Sequence, residues 1–166
     1  MKEIFDALPT CNLQDEEAKE CILLDTCFFI HTFEHQKEHQ LRELMEKYAV
    51  AMTSFNVEEF LLKEHVVDER VREYARKFLK KNALQIITVP VSPGNYLQEK
   101  SFVHAIDPEL LSAIPDASDA VLIAAGIKTN GTILTKDKHH LFTTKLENFL
   151  QKYSIAVHKE YHDVLQ

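Results

Sequence analysis

The chain has 166 residues, 45% of them hydrophobic, with only 3 Gly and 5 Pro, which suits a globular domain with a full core and excludes disordered and fibrous classes. A formal net charge of -7 argues against a generic basic nucleic-acid binder, because non-specific affinity comes mainly from neutralised phosphates. It leaves room for nuclease chemistry, since cations bound by a carboxylate cluster reverse its sign locally.

The first residues, MKEIFDALPT, lack an apolar core of signal-peptide length, and no stretch approaches the ~20 apolar residues of a membrane span. A cytoplasmic protein with no membrane contact is the expectation. Cys11, Cys21 and Cys27 are odd in number and lack zinc spacing, which suggests reduced thiols rather than a disulfide framework. Cys27 lies close to Asp25, but no activating base can be placed beside it, so packing is its expected role.

In chain order, residues 1–19 carry Ile4, Phe5, Leu8 and Leu13 with an acidic run from Asp15 to Glu17, which suggests a peripheral N-terminal helix or arm. Cys21 to Leu24 predicts a buried parallel strand, because its apolar residues are consecutive rather than alternating. The run ends on Asp25, and apolar residues resume after Thr26. Leu41, Leu44, Met45 and Tyr48 predict a helix between Gln36 and Tyr48, and Val50 to Thr53 a second strand. Asn56 to Glu64 and Asp68 to Lys81 predict two more helices, the first capped by Ser54 or Asn56. Gln85 to Val91 predicts a third strand, which Pro90 ends or confines to an edge. Ser92 to Pro115 is expected to be a loop with a short helix at Pro108 to Ala113. A helix from Ser118, closed by Asn130-Gly131, leads to a fourth strand at Thr132 to Thr135. A last helix spans Leu141 to Gln151, and Ser154 to Val157 predicts a final short strand. Strands alternating with helices favour an α/β fold, a three-layer α/β/α sandwich with a mainly parallel central sheet, built as a single domain over residues 1–166.

Four acids fall at element ends. Asp25 follows the first strand, Glu59 lies in the first turns after the second, Asp119 opens the helix that feeds the fourth, and Asp137 follows the fourth. In a parallel sheet the C-terminal strand ends form one rim, so Asp25 and Asp137 face one crevice into which Glu59 and Asp119 can point. Like charges a few ångströms apart raise one another's pKa, so the cluster calls for cations. Hard divalent ions suit an all-oxygen site; Mg²⁺ and Mn²⁺ accept such ligands and can orient and acidify water for phosphodiester hydrolysis. Each acid alone is equally explained as a helix cap or a surface ion pair.

The segments ILLDTCFFI, TSFNVEEF, SDAVLIAAG and TILTKD, in this order, resemble the PIN-domain ribonucleases, a group that includes the toxin nucleases of toxin–antitoxin pairs. The resemblance covers most of residues 21–157. It implies Mg²⁺- or Mn²⁺-dependent cleavage of RNA, with Asp25, Glu59, Asp119 and Asp137 as catalytic metal ligands. It further implies support of the acids by Thr26 and Thr135, an antitoxin protein as partner, and the homodimers common in the family. Attack of a metal-bound water in line with the leaving group would leave a 5′-phosphate and a 3′-hydroxyl.

Departures from the pattern sit at Cys27, where the family often has Asn or Ser, and at Lys138, His139 and His140, where an acidic or polar residue is expected. Glu58 and Glu59 are about 100° apart on a helix, so only one faces the site. Asp116 is an additional candidate acid or simply the helix cap after Pro115, and Lys136 and Lys138 are candidates for contacting substrate phosphate. His31, His35 and His39 would stack on a continuous helix, but a solvated face or loop is the simpler reading. Arg72, Arg76 and Lys80 form either a phosphate-contacting stripe or an ordinary solvated face. The competing reading of the whole is a non-catalytic PIN-like interaction module, suggested by the acidic charge and the altered residues at Cys27 and His140.

Overall fold

Six short strands, of which the central β2 and β3 are wholly buried, organise the protein; the computed structural model describes residues 1–166. They are β1 (Thr10–Asn12), β2 (Ile22–Leu24), β3 (Val50–Thr53), β4 (Gln85–Thr88), β5 (Thr132–Leu134) and β6 (Val157–His158). All pairings are parallel and the spatial order is β1-β4-β3-β2-β5-β6. The sheet is therefore wholly, rather than mainly, parallel. Every residue of β2 and β3 is buried, as consecutive apolar residues require when both faces are covered.

Alternate strand residues feed two separate cores. Ile22, Leu24, Met52 and Leu134 pack into one, with helices α1 (Lys2–Asp6), α2 (Thr26–Glu34), α3 (Glu38–Lys47), α4 (Ser54–Lys63) and α5 (Glu69–Lys81). Phe5, Phe29, Phe33, Phe60 and Phe78 interlock there, with ring centroids 5.0–6.1 Å apart in tilted and edge-to-face pairs. Leu23, Ala51 and Ile133 enter the other core, beneath α6 (Tyr96–Ile106), α7 (Leu110–Ala113), α8 (Ala117–Thr129) and α9 (Thr144–Leu150). Helix, sheet and helix thus make three layers.

The segment expected as a loop from Ser92 to Pro115 contains α6 instead. Glu99 and Val103 of that helix are buried and Phe102 and Ile106 pack partly buried beside them, so its core-facing stripe is short and opens on a carboxylate, while Tyr96 and Leu97 lie exposed. Its local signal is Asn95, whose side chain accepts the Gln98 N–H at 3.1 Å as an N-cap. Strand β1 lies within residues 1–19 and pairs with β4, so this segment adds an edge strand as well as a helix. The third strand ends at Thr88 rather than Val91, although Val89 and Val91 remain buried. The last strand is Val157–His158, not residues 154–157, because Ser154 takes a left-handed conformation with φ 55°. The last helix starts at Thr144, with the Thr143 hydroxyl accepting the Leu146 N–H at 3.1 Å.

Candidate functional site

Strand order reverses at β2. From it the chain moves to β3 and β4 on one side, then crosses to β5 and β6 on the other. Such a switch point opens a crevice beyond the carboxyl ends of the two strands. Asp25 directly follows β2 and its N–H reaches the Leu134 carbonyl at 2.9 Å, continuing the ladder to β5; Asp137 follows β5 by three residues.

Asp25 is half-buried and heavily bonded. Its Oδ1 accepts from the Thr26 N–H at 2.8 Å and from Asn56 Nδ2 at 3.2 Å, which makes Asp25 the N-cap of α2 as well as a site residue. Its Oδ2 accepts from the Thr135 hydroxyl at 2.6 Å and lies 3.5 Å from Cys27 Sγ. Glu59 sits one turn into α4, where its Oε1 accepts from Asn56 Nδ2 at 3.0 Å and lies 3.1 Å from the Thr26 hydroxyl. Asn56 itself is held by Thr53, whose hydroxyl donates to Asn56 Oδ1 at 2.7 Å and accepts its N–H at 3.1 Å. Thr26 thus contacts Asp25 and Glu59, and Thr135 contacts Asp25.

Asp119 and Asp137 form a second group with His140. Ligand atoms of these three residues all lie within 4.8 Å of one another. His140 Nδ1 contacts Asp119 Oδ2, and Asp137 Oδ1 accepts the N–H groups of His139 at 2.9 Å and His140 at 3.3 Å. Thr135 joins the two groups, because the hydroxyl that donates to Asp25 also accepts the Asp137 N–H at 3.0 Å.

Electrostatics ties the acids together. Burial pushes the Asp25 carboxyl above its ordinary value and the Asp137 charge adds to this, against the bonds from Thr135, Cys27 and Thr26. Glu59 is raised to about 7, first by burial and then by the charge of Asp25. Asp119 is raised by burial and by Asp116 and Asp137, with His140 opposing. Cys27 is pushed up to about 11 by burial and by Asp25, so at neutral pH it is a thiol and not a nucleophilic thiolate. Its neighbours make it more than packing: Sγ also lies 3.5 Å from the Thr135 hydroxyl and accepts the Lys136 N–H at 3.3 Å.

The remaining sequence candidates separate cleanly. Asp116 is exposed and caps α8, accepting the Ser118 N–H at 2.9 Å. Lys136 is drawn away from the crevice: its Nζ pairs with Glu160 at 2.9 Å and lies 5.4 Å from the Phe28 ring centroid. Lys138 is exposed and makes no ion pair. The histidine series is broken, because α2 ends at Glu34 and Gln36 is left-handed at φ 51°; His31 and His35 stack at 4.0 Å while His39 belongs to α3. Arg76 of the basic stripe pairs with Glu73 on its own helix. Sequence reasoning placed Asn56 only as a cap and His140 only as a departure. A polar residue three positions before Glu59 was the signal for the first; for the second, only the fold brings the loop after β5 back to α8.

A sequence profile described as the PIN domain matches residues 22–144, well over half of the chain. The chain belongs to the PIN domain family. The match runs from β2 into α9 and so contains all four acids. Among solved structures, the PIN fold described here resembles the crystal structure of VapBC2 from Rickettsia felis bound to a DNA fragment from their promoter, with a TM-score of 0.55 and 14% identity. That similarity covers 84% of this chain and 98% of the other, and at such identity it speaks for the fold. A sequence search of curated proteins found no match.

The donor set suits a divalent cation. Asp25, Glu59 and Asp119, whose carboxyls are all raised, together with Asp137 and the His140 imidazole form a donor set in which carboxylates predominate. A bound ion would offset both the burial and the smaller mutual repulsion that keep Asp25, Glu59 and Asp119 reluctant to ionise.

Proposed function

We propose that this PIN domain is a metal-dependent endoribonuclease that hydrolyses RNA phosphodiester bonds, acting in the cytoplasm as the toxin of a toxin–antitoxin pair. The reading rests chiefly on one observation: Asp25 and Asp137 stand at the ends of adjacent parallel strands at the sheet's switch point, electrostatically coupled to Glu59 and Asp119. Family membership supports the nuclease chemistry, and the likeness to VapBC2 supports a protein antitoxin as partner. Neither the strongly acidic charge nor the lack of a helix long and apolar enough to cross a membrane conflicts with it.

Asp25, Asp119, Asp137 and Glu59 would hold Mg²⁺ or Mn²⁺, which when bound supplies a water of lowered pKa and neutralises charge on the reacting phosphate. The protein's own groups set the geometry. Thr26, Thr135 and Asn56 fix the Asp25 carboxyl through both oxygens, so its orientation does not depend on the ion. Asn56 carries the same constraint to Glu59, and Thr135 carries it to the Asp137 backbone. Lys138 is the exposed cation nearest in sequence to Asp137 and remains the candidate for a substrate phosphate; Lys136, held by Glu160, does not.

The test is substitution of single acids. Asp25→Asn or Asp137→Asn should abolish Mg²⁺- or Mn²⁺-dependent RNA cleavage while circular dichroism stays that of the folded protein. Undiminished cleavage by both purified variants would refute the reading, and absence of cleavage in the unsubstituted protein would favour the non-catalytic interaction module.

A further inference from the structure

The side chain of His140 is 47% exposed, so core packing does not explain where its ring lies. What directs it is the acid site: Asp137 Oδ1 gathers the N–H groups of His139 and His140, turning the loop so that the imidazole meets Asp119 on α8. The result is one nitrogen and two carboxylate donors within 4.8 Å, contributed by a helix and a loop distant in sequence. Asp25 and Glu59 flank this trio, with Asp25 Oδ1 and Oδ2 and Glu59 Oε1 oriented by Thr26, Thr135 and Asn56.

We infer that His140 ligates the metal together with Asp119 and Asp137, and that this nitrogen biases the site toward Mn²⁺ over Mg²⁺. The inference rests on the metal-site reading above and specifies which ion the site prefers. Mg²⁺ is hard, keeps its waters and takes carboxylate oxygens in near-ideal octahedral geometry, so an imidazole in the set contributes little to it. Mn²⁺ also takes carboxylates, but as a first-row transition ion, the lowest of the Irving–Williams series, it accepts a mixed nitrogen and oxygen donor set more readily than the hard, strongly hydrated Mg²⁺. An all-oxygen cluster would discriminate less between the two.

Three proteins decide it: the unsubstituted chain, His140→Ala and His140→Asp, each titrated with Mn²⁺ and with Mg²⁺ by calorimetry. Loss of the imidazole should lower Mn²⁺ affinity by roughly ten-fold or more, a typical cost for residues that hold or orient a metal, with Mg²⁺ affinity little changed. In His140→Asp, which supplies an oxygen donor at the same place, Mg²⁺ affinity should rise and the preference for Mn²⁺ should shrink. Pulsed electron paramagnetic resonance of the Mn²⁺-loaded protein should show nitrogen coupling that disappears in His140→Ala. An unchanged Mn²⁺-to-Mg²⁺ affinity ratio in His140→Ala, or no nitrogen coupling in the Mn²⁺-loaded unsubstituted protein, would overturn the inference while leaving a carboxylate metal site standing. Binding of neither ion by the unsubstituted protein would overturn both together.

Discussion

Glu59 is where the physics of single residues can be read most directly. Its pKa of about 7, against an ordinary 4.5, arises first from burial and then from Asp25. Below pH 4.5 the carboxyl is protonated whether the chain is folded or not. Between pH 4.5 and 7 the unfolded chain loses the proton that the folded chain retains, so stability falls as pH rises through that window. In metal-free protein, Glu59→Gln should therefore stabilise the fold more at pH 8 than at pH 5, by a difference on the order of 2 kcal/mol once partial solvent screening is allowed for, with the melting temperature following. Thermal melts in chelator would check this, and a gap independent of pH would count against the coupling. Asn56 is the companion case, buried with its amide shared between Asp25 and Glu59. Asn56→Ala should cost about 1–3 kcal/mol in chemical unfolding, the usual penalty for leaving buried polar partners unsatisfied. The four acids could be singled out in the sequence because each lies at the end of a recognisable apolar strand or in the first turns of the helix beside one. Asn56 and His140 were not, since their roles come from side chains that meet only across elements.

At the scale of elements, the spacing of β2 and β5 carries the site. Gly131, just before β5, passes so close to β2 that a Cβ there would lie 2.5 Å from the Cys21 carbonyl oxygen. The Cys21 backbone on one side, with the Thr129 hydroxyl 3.0 Å away, leaves little room to yield, so Gly131→Ala should destabilise by about 1–3 kcal/mol, or roughly 3–10 °C in melting temperature. It should also weaken metal binding, because the displaced strand carries Asp137 and Thr135 away from Asp25. Calorimetric melting and metal titration would check both effects, and a variant with unaltered stability would show that the close approach is not maintained. Strands β2, β3 and β5 could be read from uninterrupted apolar runs, and α5 from its spacing of Val71, Ala75 and Phe78. Helix α6 could not, because it packs on α8 with few apolar residues and buries Glu99, which takes the Ser118 hydroxyl.

For the molecule as a whole, a net charge of -7 sets how substrate must be held. General attraction to a polyanion is unavailable, so the RNA substrate proposed above would depend on local positive charge, of which a divalent ion in the crevice would be the most concentrated source. The helical layers cover both faces of the sheet, leaving the strand ends at the switch point as the crevice where strands and acids meet. A labelled single-stranded RNA, incubated with the purified chain, isolates this dependence. Cleavage in Mn²⁺ or Mg²⁺ that stops in chelator, with products ending in 5′-phosphate and 3′-hydroxyl, is the expected result. Cleavage that persists in chelator, or products ending in a cyclic phosphate, would contradict metal-dependent hydrolysis at the four-acid site.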